Sequence, residues 1–379
     1  MPTRVVVLSE IPTPYRLPLY EMLAARPELE LEVLFCSREQ PDRPWDLDEQ
    51  LARVPHRFLP GMGLRFGGRR NTFVYEVNPT IVRELSRRRP DVLVIGGYAV
   101  FAEQAAIAYA RARRVPYVLH TESQMLKQRP RLKRAVKWAL LPPIVRNAAA
   151  ALAVGSAAAR YLEHYGLARD RIRIFPNTID VSRYRTAAEN ARAHGGSGER
   201  YWLYAGRLVE DKGLTELIAA LRSLGEHPPL LVAGEGPLAA KLAQVSGVRM
   251  LGFRPTDELI ELMACAELTI VPSRNEPWGV VVNEALAAGS PVVVGDKVGA
   301  TEDLVIDGVN GRVFASGDAS ALTRALSQPP PAGARDRGPI DSWDYAFGVA
   351  QFLEAIEIAL QRNRSRKSSA SAATFVSRS

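Results

Sequence analysis

Cysteine is scarce in this chain of 379 residues, with only Cys36 and Cys265. Two thiols so far apart exclude a disulfide framework or a cysteine-rich zinc site and fit a reducing compartment. Long apolar runs are missing too. No uncharged stretch reaches the ~18 residues of a membrane span, and residues 91–110, the nearest candidate, contain Glu103. The apolar run Val5 to Leu8 is too short for a signal-peptide core and reads as a first strand. A cytoplasmic protein is expected. Acid is short in one part only: residues 1–150 carry 24 Lys and Arg against 15 Asp and Glu, while 151–379 carry 25 against 26. Such asymmetry speaks of partners rather than fold. No nucleic-acid module accompanies the basic part, so no nucleic-acid partner is expected. What is present, 47% hydrophobic and 24% charged residues, is the composition of a folded protein long enough for two domains.

Short apolar runs alternate with amphipathic segments. In the first half, strands are predicted at 4–9, 30–36, 56–60, 91–95, 116–120, 150–154 and 172–175, and helices at 15–26, 79–89, 99–113, 131–147 and 156–165. Residues 181–199, with Gly195-Gly196-Ser197-Gly198, interrupt the rhythm and read as a linker. The pattern then restarts, with strands at 201–205, 229–233, 248–251, 267–271, 291–294 and 312–314 and helices at 213–224, 237–245, 256–264, 279–288 and 319–327. Strand–helix alternation predicts parallel sheets covered on both faces. The expected organisation is an α/β domain at 1–180, the linker, and a second α/β domain at 200–328. A helix at 340–361 is expected to cross back to the first domain, and the Ser/Arg-rich tail 362–379 to be disordered. Ligands of such folds sit beyond the carboxyl ends of the strands, here in a cleft between domains.

The densest basic segment, Lys127–Arg146, holds seven basic residues and no acid. Leu132, Ala135, Val136, Ala139 and Leu140 follow helical spacing, while Arg131, Lys133, Arg134 and Lys137 lie largely elsewhere on the wheel and Trp138 at the border. A helix of this kind can rest on an anionic membrane surface or be an ordinary solvated face over a core.

The chemistry-bearing residues cluster just after strands of the second domain. Gly206-Arg207-Leu208-Val209-Glu210-Asp211-Lys212-Gly213 places two cations at the cleft mouth, suited to a diphosphate, behind a glycine that lets a ligand near the backbone. Gly234-Glu235-Gly236-Pro237 permits a tight strand-to-helix turn. From Pro272 to Val293 the chain reads PSRNEPWGVVVNEALAAGSPVV, with Glu276 in a loop and Glu284 one turn into the next helix. Pro277 and Gly279 break regular structure between them and leave donors near the helix start. An anion seat flanked by two carboxylates suits a polyhydroxylated ligand carrying phosphate.

These motifs, in this order, resemble the retaining family 4 glycosyltransferases of the GT-B fold, two Rossmann-like domains with parallel sheets facing a central cleft. The likeness continues at Asn177-Thr178-Ile179-Asp180, Gly299–Val305 and Asp307-Gly308 to Gly311. The resemblance implies sugar transfer from a nucleotide-diphosphate-sugar donor to a hydroxyl, without a metal or other cofactor. It implies that Arg207 and Lys212 hold the diphosphate, Glu284 the ribose and Glu276 the donor sugar. Gly206, Trp278, Gly279 and Val280 complete the seat, and Phe253 and Arg254 lie near the base. His120, Glu276, Arg207 and Lys212 are the catalytic candidates. Asp46-Leu47-Asp48 lies away from every donor motif, and two carboxylates are a thin metal site.

The first domain is expected to supply the acceptor site. Its first loop, Ile11-Pro12-Thr13-Pro14-Tyr15-Arg16, has prolines where many relatives have glycines, so Tyr15 or Arg16 replaces a backbone cradle as the ligand contact. His120 resembles the family's N-terminal active-site histidine, against a purely structural role, and Glu122 is a second polar candidate. A carbohydrate or lipid-linked acceptor at the cytoplasmic membrane face, as in polysaccharide or glycolipid synthesis, is the leading reading. A soluble small-molecule acceptor is the alternative, and a non-catalytic nucleotide-sugar-binding protein a third.

Overall fold

The computed structural model describes residues 1–38, 45, 47–66, 73–125, 131–194, 200–330 and 338–376. In the first lobe the strands are β1 (Thr3–Ser9), β2 (Leu29–Phe35), β3 (His56–Phe58), β4 (Met62–Phe66), β5 (Phe73–Val77), β6 (Val92–Ile95), β7 (Tyr117–Thr121), β8 (Ala150–Ala153) and β9 (Ile172–Ile174). Seven of them form one sheet in the order β3-β2-β1-β6-β7-β8-β9, with every pair parallel. All four residues of β6 and of β8 are buried, as strands covered on both faces must be. β4 and β5 make a separate antiparallel hairpin, which the sequence reading does not contain.

The second lobe adds β10 (Trp202–Ala205), β11 (Leu230–Ala233), β12 (Val248–Gly252), β13 (Leu268–Val271), β14 (Val292–Gly295) and β15 (Gly311–Phe314). Their order is β12-β11-β10-β13-β14-β15, again parallel. In each sheet the strand order reverses once, between β1 and β6 and between β10 and β13. A crevice opens at such a switch point, outside the carboxyl ends. Two apolar cores flank each sheet.

Two expectations change. Val181–Ala193, read as linker, is a helix whose Tyr184 and Ala188 enter a core of the second lobe. Asp180 caps it, accepting from the Arg183 backbone at 2.9 Å. Of the rest of that stretch, residues 195–199 lie outside the described residues. Of the tail expected to be disordered, residues 362–376 continue the last helix, Tyr345–Val376, and residues 377–379 lie outside the described residues. Val349, Phe352, Ala355, Ile356 and Ala359 of that helix pack with Leu17, Leu19 and Val33, so this helix returns to the first lobe. The lobes are also pinned through polar contacts: the Ser156 backbone N–H reaches Asp303 at 2.8 Å, and Arg160 pairs with Glu302. Among the described residues no helix is long and apolar enough to cross a membrane.

Candidate active site

Two loops meet at the carboxyl ends of β10 and β13. Gly213 makes this possible. It holds φ +71°, and a Cβ there would stand 1.8 Å from the Pro272 carbonyl oxygen. The Arg274 N–H also donates to the Asp211 carbonyl at 3.0 Å. The loops deliver Lys212 Nζ onto Glu276 Oε2, with Ser273 Oγ 3.4 Å from the same oxygen. Both side chains are about one-fifth exposed, so water still reaches the pair and an anionic ligand can share the ammonium. Arg207 is exposed on the same loop, directly after Gly206 at the end of β10.

The helix Val280–Ala287 starts beside this pair. Its first residue follows Gly279, at φ +95°, and neither a capping side chain nor an acid occupies its first turn. The Val282 N–H donates to the Gly279 carbonyl at 2.9 Å, which leaves the N–H groups of Val280 and Val281 and the positive dipole end available to an anion. The Trp278 side chain is turned away from the opening. It is 1% exposed, donates from Nε1 to Asn283 Oδ1 at 2.9 Å and stacks on Trp343 at 5.7 Å.

Glu284, half-buried one turn into that helix, accepts from the Tyr184 hydroxyl at 2.8 Å. Burial pushes the Glu284 carboxyl up from its ordinary range, and this hydrogen bond works against the rise. Tyr184 is a residue that the sequence reading missed. Its signal was present: Asp180 as a cap and Val181, Tyr184 and Ala188 at i, i+3 and i+7.

The first lobe presents a different arrangement at the carboxyl end of β7. One Arg16 nitrogen lies 2.8 Å from His120 Nε2 and donates to Asn177 Oδ1 at 2.7 Å. Asn177 Nδ2 donates to Glu122 Oε1 at 3.1 Å. The guanidinium lies over the Phe175 ring, 4.3 Å from its centroid. Arg16 is only 5% exposed, so it holds its neighbours and is not itself open to a ligand as expected. Tyr15 beside it is half-buried, edge-on to Trp45. The Asn177 carbonyl accepts from Asn283 Nδ2 at 3.2 Å, which ties this group to the Val280–Ala287 helix.

Phe253 is 72% exposed just beyond β12, and Arg254 folds back onto the Leu251 carbonyl at 2.7 Å and Glu258 at 3.3 Å. The basic segment is helical over Arg131–Asn147, with Trp138 and Leu140 exposed. The side chains of Arg131, Lys133, Arg134 and Lys137 lie outside the described residues. So does Asp46, while Asp48 pairs with Arg38 at 2.6 Å on the surface. Among the described residues no group of three potential metal ligands occurs.

Residues 19–183 match Glycosyltransferase Family 4, and residues 188–328 match Glycosyl transferases group 1. The chain belongs to the family 4 glycosyltransferases. Its fold is GT-B. A glycogen synthase of Mycobacterium tuberculosis is 34% identical over 187 residues, 46% of this chain and 44% of that one. A D-inositol 3-phosphate glycosyltransferase of Nocardia farcinica is 32% identical over 201 residues, 48% and 44% of the two chains. The chain thus matches less than half the length of these curated relatives. Anabaena Alr3699/HepE, solved in complex with UDP, superposes with a TM-score of 0.71 over 94% of this chain and 100% of that one. At 19% identity that likeness is one of fold.

Proposed function

We propose that this glycosyltransferase-family chain moves a sugar from a nucleoside diphosphate donor to a hydroxyl acceptor, with retention at the anomeric carbon and no resident metal. The observation that carries the reading is the convergence of Lys212, Glu276 and the uncapped start of Val280–Ala287 at the switch point of the second sheet. Breaking the donor's glycosidic bond leaves negative charge on the departing diphosphate. Arg207, Lys212 and the helix N–H groups lower the barrier by facing that charge where it grows, and one such fixed donor is worth ~2.7–4 kcal/mol. Glu276 accepts from donor-sugar hydroxyls and Glu284 from the ribose. Retention follows when the departing phosphate takes the acceptor's proton on the face that it leaves. The UDP in the HepE structure supports the donor class.

The acceptor, in this reading, is a carbohydrate or lipid-linked hydroxyl used in cell-surface polysaccharide or glycolipid synthesis. The protein works in the cytoplasm, peripherally on the inner membrane face. The exposed Trp138 and Leu140 on a basic helix support that placement. Thermal denaturation against a panel of nucleotide sugars tests the donor, because a ligand that binds only the folded state raises the melting point. Anionic-vesicle sedimentation and activity in EDTA test the other two elements. No stabilisation by any nucleotide sugar defeats the donor reading, absence from the vesicle pellet defeats the membrane reading, and metal-reversible loss in EDTA defeats the metal-free one.

A further inference from the structure

Among the described residues, Arg16 is the one buried lysine or arginine, and no carboxylate pairs with it. Its other terminal nitrogen, Nη1, is sealed from solvent without a hydrogen-bond partner. Holding a cation there costs free energy that a stability role alone does not explain. What the guanidinium touches is informative. It has only N–H donors, so the ring nitrogen 2.8 Å from it must offer a lone pair. His120 Nε2 is therefore unprotonated. A proton there would face an N–H, so the contact excludes the imidazolium, and the neutral ring carries its proton on Nδ1.

We propose that Arg16 is a positioning residue that fixes His120 as a neutral ring protonated at Nδ1, making it a hydrogen-bond donor toward an oxygen in the cleft and not a general base. Among the described residues Nε2 has Arg16 and Nδ1 has no bond, while the ring is part-exposed at the carboxyl end of β7. The oxygen it meets, a sugar hydroxyl or a phosphate, rests on the glycosyl-transfer reading. The tautomer does not. The knot also sets position: Arg16 holds Asn177 at 2.7 Å, and the Asn177 carbonyl holds Asn283 at 3.2 Å. His120 is thereby registered against the helix that opens the donor seat. Burial and the Arg16 charge both push the imidazole pKa well below its usual range. The other titratable groups around the knot are Glu122, Tyr15, Tyr20 and Tyr345.

Nitrogen NMR of the histidine-labelled full chain tests this without any substrate. There are five histidines, and the His120→Gln variant assigns the signal that disappears. The expected result is an Nδ1–H ring whose shifts stay fixed as the pH falls from 8 to 5.5. An Nε2–H ring, or a midpoint near the ordinary ~6.5, overturns the proposal. In Arg16→Met the signal should become a tautomer mixture and titrate; an unchanged signal in that variant also overturns it. If Arg16→Met does not fold, the wild-type spectrum alone decides. Where transfer is measurable, Arg16→Met and His120→Ala should each lower kcat at least about tenfold with donor KM little changed, and the double variant should be no worse than His120→Ala. Multiplying losses would mean that Arg16 acts by another route.

Discussion

At the carboxyl end of β13 the polar groups are part-exposed, and the helix start beside them carries no cap of its own. At the carboxyl end of β7 two of the four polar groups, Arg16 and Asn177, are buried, and all four are already bonded within the group. The same parallel-sheet geometry thus builds an open seat in one lobe and a closed knot in the other. The open seat is suited to a ligand that brings its own charge. The closed knot is suited to holding one ring edge in place. This difference dictates where a substitution should act: on ligand binding and chemistry in the second lobe, and on preorganisation in the first.

The largest effect is expected from Lys212→Ala. In the proposed reaction its ammonium faces the charge that grows on the leaving group, so kcat/KM should fall about 10²–10³-fold while circular dichroism stays native. Steady-state kinetics with the donor identified by thermal shift checks this, and full activity would remove Lys212 from the seat. Gly213→Val should come next and read out differently. A side chain at φ +71° with its Cβ 1.8 Å from a backbone oxygen should cost at least about 2 kcal/mol. Denaturant unfolding measures it. Loss of donor binding should accompany it, because the two loops can no longer meet.

Legibility in the sequence follows the same divide. The proposed donor side is assembled from contiguous motifs, each directly after a strand, so the loops that bring Lys212 onto Glu276 beside the helix carrying Glu284 could be read by eye. The knot joins Arg16, His120, Glu122 and Asn177, residues from three separate stretches that only the fold brings together. The sequence did mark Arg16 and His120, but as two independent ligand contacts. It could not show that one is committed to the other. Parallel strands were visible because buried runs such as Val92–Ile95 have no polar interruption. The hairpin β4–β5 was missed because Gly63 and Arg65 in its first strand dilute the apolar pattern. The helix Val181–Ala193 was missed because its buried face is narrow, with only Val181, Tyr184 and Ala188 turned fully inward.

Tyr184→Phe sharpens the comparison from the second-lobe side. It deletes a single hydroxyl that donates to Glu284 at 2.8 Å and leaves the ring in its core. Leaving one partner of a buried hydrogen bond unsatisfied costs about 1–3 kcal/mol. Donor affinity should fall at least about fivefold by titration calorimetry. In Glu284→Ala the same change should do almost nothing further, because the partner is gone. An equal loss in both backgrounds would separate Tyr184 from the carboxylate.

The smallest effect belongs to the knot and is read as stability against pH. The folded His120 ring stays neutral because burial and Arg16 hold its pKa well below the ordinary range. The unfolded ring takes up a proton as the pH falls through ~6.5. Below that point the unfolded state binds more protons, so stability must drop with falling pH; above it, this residue contributes no slope. Between pH 7.5 and 5.5 the wild type should lose about 1 kcal/mol from this source. His120→Gln should lose that much less over the same window, whatever its absolute stability, while His56, His164, His194 and His227 contribute alike to both proteins. Parallel curves for the two would mean that the folded ring protonates freely, and the first lobe would then hold an open site like that of the second.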